Sequence, residues 1–427
     1  MSRRPRRPSR VHRPAGAGAA GGAGSSVGET PHEGGFDVVT NDAQFRELVR
    51  RLADQPHVAF DTEFVSEHTY RSQLCLLQVA APGVLAVVDT LAVPELDAFW
   101  RLLAEPGRTT VVHAGREEMG FILHAIRTRP ATLFDVQVAA GLVDHDYPAG
   151  YAAIVRRFLS LPTNKGETRT DWRKRPLTTA QLAYAVDDVR HLETLWRTLG
   201  DRLDRLGRTA WMQEEMASWQ DDVEESFVRK RWRRVSGLNG LSRRELALVR
   251  ELWHWRDQVA EERDMPPRRV LRDDLLVELA KRKSAEERDI AAVRGMQRSD
   301  LRHILGGLAD ALQRGLAVPD DECPGGERHR APPPQLAMLG QFLATAVAGM
   351  CRQMALAPAL VGTSSDMRDL LAHKLGYHAG DREPLLATGW RRGVVGDLVD
   401  DLLAGRASLR IGDVRSHDPL VIDRPGR

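Results

Sequence analysis

The chain has 427 residues, of which 42% are hydrophobic and 28% are charged, and its formal net charge at pH 7 is +2. This composition is typical of a soluble globular protein with roughly two to four domains, and the balanced charge excludes an argument for nucleic-acid binding from net charge alone. Cys75, Cys323 and Cys351 form no CxxC pair, so the sequence indicates neither a disulfide framework nor a zinc site and fits a reducing cytoplasm. No apolar run approaches the ~20 residues of a membrane helix, and no apolar core follows the N-terminal arginines as in a secretory signal.

The first 35 residues are mostly Arg, Pro, Gly, Ala and Ser, with almost no large apolar side chain. Such a segment cannot bury enough surface to fold, so we predict that residues 1–35 are a disordered basic tail. The tail either adds non-specific attraction to phosphates or only keeps the chain in solution, and the sequence favours neither alternative.

Residues 36–215 alternate between strand-like and helix-like stretches and form the first predicted domain. The predicted strands are 57–62, 74–80, 84–89, 110–113 and 132–135, and the predicted helices are 40–53, 94–104, 115–126, 136–143, 150–159 and 178–204. Ala81-Pro82-Gly83 predicts a hairpin between the second and third strands. Three sequential strands followed by strand–helix units predict an α/β domain with a mixed sheet flanked by helices.

The rest of the chain shows only helical patterns, broken by a connector and a linker. Residues 216–237 are a predicted charged connector, in which contact of Trp232 and its arginine neighbours with nucleic acid is the less favoured alternative to a solvated helix face. Predicted helices at 242–263, 272–282, 285–293 and 298–315 form an all-α domain over 238–318. After a Pro- and Gly-rich linker at 319–334, helices at 335–356, 364–374 and 392–404 predict a second helical domain over 335–415, followed by a loose tail at 416–427.

Two carboxylates, Asp61 and Glu63, end the first strong strand, and residues two apart on an extended chain point to the same side. An isolated Asp-x-Glu is usually a surface turn or a solvated strand edge. At the end of an apolar strand, however, the two charges repel unless something neutralises them. A hard divalent cation such as Mg²⁺ or Mn²⁺ suits these oxygen ligands best.

Further acids follow at the ends of other predicted elements. Glu118 comes after the strand at 110–113, and Asp188 lies four residues after Tyr184 on one face of the helix at 178–204. Such a cluster suits phosphodiester hydrolysis by two metal ions ~3.5–4 Å apart, and a tyrosine hydroxyl nearby can position the attacking water.

These residues stand in a series of motifs that resembles ribonuclease D. In chain order the motifs are FDTEF at 60–64, RSQLCLLQ at 71–78, HAGREE at 113–118, LFDVQ at 133–137, TRTDWRKRPL at 168–177, and Tyr184-x-x-x-Asp188. Their order and spacing resemble that family, which has four acids and a tyrosine on a ribonuclease-H-like fold. The resemblance implies a metal-dependent 3′-5′ exoribonuclease that releases nucleoside 5′-monophosphates and trims structured RNA such as tRNA precursors.

The resemblance also implies roles for individual residues. Four acids would hold two Mg²⁺ or Mn²⁺ ions, and Tyr184 would orient the water; the acids are Asp61, Glu63, Glu118 and Asp188. No organic cofactor is implied, the partner would be RNA, and we expect a monomer. The alternatives are a 3′-5′ exonuclease acting on DNA and a catalytically impaired RNA-binding protein.

Glu118 departs from the family pattern, which usually has aspartate at this position. The extra methylene moves the carboxylate by up to ~1.5 Å, and a misplacement of 1 Å can lower a rate about 10²-fold. Three alternatives follow: the helix has shifted to accommodate Glu118, the residue acts through a metal-bound water, or activity is weak. The neighbouring Glu117 points about 100° away around the helix, so Glu118 is favoured as the ligand.

The remaining candidates contact substrate or support the site. His113 either binds phosphate or is a strand-end histidine satisfied by the core, and Asp135 is predicted to cap a helix. A basic loop before the Tyr184 helix is predicted to contact phosphates through Lys165, Arg169 and Arg173. Trp172, in the same loop, either stacks on a base or anchors the loop.

The helical half carries a second resemblance. LALVRELWHWRDQVA at 246–260, followed by RDMPP at 263–267 and VLRDDLL at 270–276, resembles the helicase-and-RNase-D C-terminal (HRDC) domain over about 240–316. This implies an auxiliary contact with nucleic acid or protein and no catalysis, with Trp253 and Trp255 in or near the core. The region 335–415 resembles a second HRDC domain only in the number and position of its predicted helices.

Overall fold

The structure, a computed structural model, describes residues 35–162, 170–228, 232–297, 303–325, 333–377, 383–416 and 419–423. The predicted disordered tail, the predicted phosphate-binding residues Lys165 and Arg169, and part of the predicted connector lie outside these ranges. None of the helices in the described ranges has the length and apolar character that a membrane crossing requires.

Six strands form one mixed sheet in the order β1-β4-β3-β2-β5-β6. The strands are β1 (Asp37–Val39), β2 (His57–Val65), β3 (Gln73–Ala81), β4 (Val84–Asp89), β5 (Thr109–Val112) and β6 (Thr132–Asp135). β3 is antiparallel to β2 and β4, whereas β1–β4, β2–β5 and β5–β6 pair in parallel. The predicted mixed sheet and its hairpin are therefore confirmed, and the three-residue β1 is an additional strand.

Eight helices in the described ranges belong to this sheet domain. They are α1 (Asp42–Ala53), α2 (Asp97–Leu103), α3 (Arg116–Ile126), α4 (Val136–Val143), α5 (Tyr151–Leu159), α6 (Thr179–Arg190), α7 (Leu192–Arg205) and α8 (Thr209–Val228). The single helix predicted over 178–204 was wrong, because the chain breaks at His191, whose amide donates to the Tyr151 hydroxyl at 3.2 Å. The predicted connector also differs from the structure: its first half lies in α8, which packs Met216 and Val223 against the sheet domain.

A separate helical bundle follows, as predicted. It contains a 3₁₀ turn (Trp232–Arg234), α9 (Arg243–Glu262), α10 (Pro267–Val270), α11 (Asp273–Arg282), α12 (Glu287–Ala291) and α13 (Leu305–Ala317). A capping box between Ser242 and Glu245 begins α9, which explains its sharp N-terminus. Leu252, Leu276 and Leu308 share a core of the bundle's own, and Trp253 and Trp255 pack half-buried against it.

The C-terminal region contains helices and a small hairpin. Its elements are α14 (Gln335–Gln353), α15 (Pro358–Val361), α16 (Ser364–Lys374), a 3₁₀ turn (Leu385–Ala387), α17 (Gly389–Arg391), a π-helical turn (Arg392–Gly396), α18 (Asp397–Leu403), β7 (Ser408–Ile411) and β8 (Leu420–Asp423). The predicted loose tail was wrong at β8, which pairs antiparallel with β7. Its apolar run, Leu420 to Ile422, packs Ile422 against the core that α14 helps to form.

The C-terminal helices share one hydrophobic core with the sheet domain, although the HRDC-like bundle separates them in sequence. This core joins Leu142 and Met212 to Leu343, Val361 and Trp390. The amide of Ala357 also donates to the carbonyl of Gly141 at 2.8 Å. The chain therefore returns to the sheet domain after an excursion through the bundle.

Candidate active site

The site is built around the end of β2. Asp61 pairs with Gln78 on β3 and Glu63 pairs with Leu76, and the register shifts just after Glu63. Alternation along a strand directs Asp61 and Glu63 to one face of the sheet and Thr62 to the other. The first face is covered by α6, which contributes to a buried cluster with Leu76.

α6 carries Tyr184 and Asp188 on that face. The helix begins with a capping box between Thr178 and Gln181, which fixes its start and hence the positions of the two side chains one turn apart. The Tyr184 hydroxyl donates to the Asp188 carboxylate. Trp172 stacks behind Tyr184, with ring centroids 6.1 Å apart, and is only 4% exposed. This burial matches the anchoring alternative for Trp172, since no free ring face remains for a base.

Glu118 reaches the cluster from α3. Its side chain is buried, and its Oε1 accepts a hydrogen bond from the Thr62 hydroxyl at 2.6 Å. The longer glutamate is therefore held by Thr62, which lies between Asp61 and Glu63 in sequence and points to the opposite face of the sheet. The charge of Glu118 raises the pKa values of the Asp61 and Glu63 carboxyl groups.

Burial and mutual repulsion dominate the electrostatics of the four acids. Burial, followed by the charges of Glu118 and Asp188, holds the pKa of Asp61 well above its usual range. Burial first and then Asp188 and Glu118 raise the pKa of Glu63 to about 8. Burial raises the pKa values of Glu118 and Asp188 to about 7 each. Within the described residues none of the four pairs with a lysine, arginine or histidine, so the cluster lacks positive charge.

The donor set fits a divalent cation. Four carboxylates without a cationic partner among the described residues, Glu118 buried and the other three half-buried, offer the oxygen ligands that hard ions prefer. In the described part of the chain, however, no three acidic, histidine or cysteine side chains are already arranged to share one ion. The chemistry of the donors therefore fits, and ion binding must draw the carboxylates together.

The other predicted residues lie in supporting positions. His113 Nε2 lies 3.0 Å from the Ala149 carbonyl, and its ring meets Tyr151 edge-on, as in the core-satisfied alternative. Asp135 accepts from the amides of Ala114 and Gly115, and as N-cap of α4 it also accepts from the Gln137 amide at 2.8 Å. Arg173 is exposed and pairs with its neighbour Asp171.

Two residues near the cluster were not predicted to belong to it. The Tyr151 hydroxyl lies close enough to Asp188 and Asp61 that their charges, after burial, raise its pKa. Gln78, opposite Asp61, is fully buried, and neither of its carboxamide atoms has a hydrogen-bond partner among the described residues. Gln78 could have been recognised from the sequence as a polar residue inside the apolar run LCLLQVA, whereas no local pattern distinguishes Tyr151.

Known proteins resemble this chain along most of its length. The profile of the 3′-5′ exonuclease family matches residues 36–204, and that of the HRDC domain matches residues 245–312. The ribonuclease D of Gluconacetobacter diazotrophicus is 34% identical over 387 residues, covering 88% of this chain and 95% of that protein. The ribonuclease D of Granulibacter bethesdensis is also 34% identical, over 84% of this chain and 90% of that protein.

A solved structure extends the likeness to three dimensions. Escherichia coli ribonuclease D, described as an exoribonuclease involved in structured RNA processing, superposes with a TM-score of 0.76 at 25% identity and covers 87% of this chain and 99% of that one. These matches confirm the resemblance and the fold predicted from the motifs. The chain belongs to the ribonuclease D family of 3′-5′ exoribonucleases.

Proposed function

We propose that the cluster of Asp61, Glu63, Glu118, Tyr184 and Asp188 is the active site at which this exoribonuclease hydrolyses the 3′-terminal phosphodiester of RNA. The observation that supports this most is the convergence of four buried or half-buried acids from β2, α3 and α6 without a cationic partner among the described residues. The relatives are ribonucleases D along most of the chain, which favours neither the DNA exonuclease nor the impaired RNA-binding protein.

Exonucleases of this fold depend on divalent metal ions. For this chain we assign two ions, Mg²⁺ or Mn²⁺, to the oxygens of Asp61, Glu63, Glu118 and Asp188. The chemistry that such ions supply is activation of the attacking water and stabilisation of the leaving 3′-oxygen.

The chain's own residues orient the reaction. Burial and the charge of Asp188 raise the pKa of Tyr184, so its hydroxyl stays protonated and can hold the attacking water as a neutral hydrogen-bond partner. The hydrogen bond to Asp188 and the packing of Trp172 fix the ring. The geometry that results delivers water to the terminal phosphorus and releases a nucleoside 5′-monophosphate.

For the substrate we propose the single-stranded 3′ end of a structured RNA, with tRNA precursors as the representative class. Support comes from the E. coli relative, described as acting in structured RNA processing, and from the HRDC domain beside the exonuclease domain. We expect the protein to act as a monomer.

The test is degradation of one RNA hairpin with a 3′ overhang, labelled in parallel at the 5′ and the 3′ end. We expect a ladder that shortens from the 3′ end, labelled monophosphate from the 3′-labelled RNA, and no products with chelator. Asp188→Asn, purified identically, controls for contaminating nucleases and should be inactive. Internal cleavage, or a preference for the equivalent DNA, would contradict the assignment.

Replacing Glu118 by aspartate is expected to lower kcat about 10- to 100-fold, although it restores the residue usual in the family. The shorter side chain withdraws the carboxylate from the Thr62 hydroxyl, which lies 2.6 Å from Oε1, and a misplacement near 1 Å has an effect of this size. Single-turnover cleavage at saturating Mg²⁺ measures the change.

The matched control is Glu95→Asp, the same change at an exposed position before α2, which should leave kcat unaltered. Thr62→Val should reproduce part of the Glu118→Asp loss, because it removes the same hydrogen bond from the other side. A rise in kcat with Glu118→Asp would show instead that glutamate impairs the site.

Divalent ions should stabilise the protein more at pH 8.5 than at pH 6. Glu63, Glu118 and Asp188 have folded pKa values of about 8, 7 and 7, well above the usual range of carboxyl groups. The stabilisation of the folded state by these raised pKa values is therefore complete below about pH 4. It is lost as the pH rises through 7 to 8, because the folded protein must then ionise groups that repel one another.

A bound cation offsets this repulsion, so the increase in Tm on adding Mn²⁺ should grow across the same interval. Thermal melts with Mn²⁺ and with chelator at both pH values measure it, and Asp188→Asn should reduce the difference. Equal increments at pH 6 and pH 8.5 would show that these carboxylates do not take up the ion.

A further inference from the structure

A pocket of about 460 Å³ lies beside the acid cluster, between α3 and the loop that joins β2 to β3. We call it the Arg127 pocket; Gly120, Phe121, His124 and Arg127 line one side, and Tyr70 and Arg71 line the other. Phe64 follows Glu63 directly on β2, and its ring meets Phe121 with centroids 5.7 Å apart. Phe64 points to the face of the sheet opposite to that of Glu63, so the pocket adjoins the strand that carries the proposed catalytic residues from its other face.

The pocket contains two arginines, one of which, Arg71, is paired with Glu261 of α9. Arg71 and Arg127 both line it, and their charges, after burial, lower the pKa of His124. Glu117 is the one carboxylate among its described lining residues. The guanidinium of Arg127 makes no hydrogen bond or ion pair with any residue that the structure describes, so it is available to an anion.

The HRDC domain shapes the opposite wall. The Tyr70 hydroxyl donates to Asp257 of α9 at 3.0 Å, and the Tyr70 amide donates to Asp264, just beyond α9, at 3.1 Å. Arg71 is held by Glu261 of α9 and lies 3.1 Å from His124 Nε2. The loop that continues from the catalytic strand is thus fixed by the HRDC domain, with Arg71 directed along the pocket.

We propose that the Arg127 pocket binds a backbone phosphate of the RNA substrate, a few nucleotides 5′ of the scissile bond, and that the HRDC domain shapes this subsite by holding Tyr70 and Arg71. The inference rests on the proposed function, because the RNA is placed from the acid cluster. Six residues of helix separate Glu118 from His124, or about 9 Å along the axis, which is a short distance for an extended RNA strand.

A phosphate fits the pocket better than a base does. Guanidinium groups bind phosphate oxygens in fixed geometry, and such contacts position a strand without reading its sequence. An enzyme that removes successive nucleotides needs this property, because each cycle presents a new sequence to the same subsite. Continuity with Glu63 through Phe64 and Phe121 favours the substrate over an acidic segment of a partner protein.

The test measures the affinity of the intact protein for single-stranded RNAs from about two to ten nucleotides long, in chelator so that no cleavage occurs. With the native protein, affinity should step upward once the RNA is long enough to reach the pocket. Arg127→Gln should abolish that step, weaken binding of long RNA about tenfold, and reduce the slope of log Kd against log salt by about 0.7. Binding and cleavage of a dinucleotide should stay unchanged.

Two further variants complete the experiment. Arg46→Gln, an exposed arginine on α1, is the matched control and should keep both the length step and the salt slope. Tyr70→Phe removes the hydrogen bond to Asp257 and should reduce the length step while leaving dinucleotide cleavage intact. Thermal melts establish that each variant is folded.

The outcomes separate this inference from the proposed function. The phosphate subsite would be overturned if affinity still increased at the same RNA length in Arg127→Gln, or if this variant weakened binding equally for every RNA length. Binding of an acidic peptide in competition with long RNA but not with a dinucleotide would assign the pocket to a protein partner instead. Absence of metal-dependent cleavage of any RNA by the native protein would overturn the proposed function itself.

Discussion

Asp61→Asn is expected to lower kcat by at least about 10³-fold and, at the same time, to stabilise the metal-free protein. Loss of one carboxylate from a two-ion site removes several kcal/mol of transition-state stabilisation, which corresponds to this factor. The stabilisation has a separate origin. Asp61 is buried against Glu118 and Asp188, and a neutral amide of nearly the same shape relieves their repulsion.

Three measurements test this pair of effects: single-turnover cleavage, Tm in chelator at pH 8, and the increase in Tm caused by Mn²⁺. The cleavage rate should fall by at least the factor given above, Tm in chelator should rise, and the increase in Tm caused by Mn²⁺ should become smaller. Asp54→Asn, the same replacement at the exposed C-cap of α1, is the control and should alter none of them. If Asp61→Asn lowers both activity and metal-free Tm, Asp61 is a structural acid and the proposed site is wrong.

The sequence predicted the sheet well because its strands have local signals, and the candidate site was proposed from local signals too. Apolar runs such as Val58 to Phe60 and Val84 to Val88 identify strands directly, and the Pro82-Gly83 turn identifies their antiparallel pairing. The candidate acids could be proposed from the sequence because each lies in a motif at a fixed offset from a strand or helix. The three-residue β1 escaped prediction because so short a stretch carries too little periodicity.

Features that depend on tertiary contacts could not be predicted. The break between α6 and α7 occurs inside a continuous amphipathic pattern, and its cause, the Tyr151 hydroxyl, is 40 residues away in sequence. The hydrogen bond from Thr62 that receives Glu118 likewise joins residues that no local pattern relates. The helix α8 was taken for a connector because its charged face dominates the composition, while its packing against the sheet domain is visible only in three dimensions.

The second large effect is expected for Arg208→Met, which should lower the free energy of unfolding by roughly 3–5 kcal/mol. Arg208 lies between α7 and α8 and is only 5% exposed. Its guanidinium donates to the carbonyls of Leu142 at 2.6 Å, Met354 at 2.6 Å and Ala355 at 3.0 Å. Methionine keeps the aliphatic length but leaves these carbonyls, from the ends of α4 and α14, without their shared donor.

The same interface contains a second arginine and a tryptophan pair that report on its integrity. Arg391 pairs with Glu215 at 2.6 Å, and Trp390 stacks on Trp211 at 5.2 Å. These contacts join the C-terminal helices to α8, so we predict that they unfold together with the sheet domain, independently of the HRDC domain. Urea unfolding followed by tryptophan fluorescence measures the midpoint of that shared transition.

Arg205→Met is the matched control, since Arg205 is exposed in the last turn of α7 and its loss should change stability by less than about 0.5 kcal/mol. The HRDC transition, followed through hydrogen exchange in α9 and α13, should keep its midpoint in Arg208→Met. Two separate transitions for the sheet domain and the C-terminal helices, with the first unaffected by Arg208→Met, would contradict the shared core. If the sheet domain and the C-terminal helices instead unfold in one transition that Arg208→Met shifts, they form one folding unit into which the HRDC domain is inserted. The stability of the exonuclease sheet then depends on helices that follow the HRDC domain in the chain.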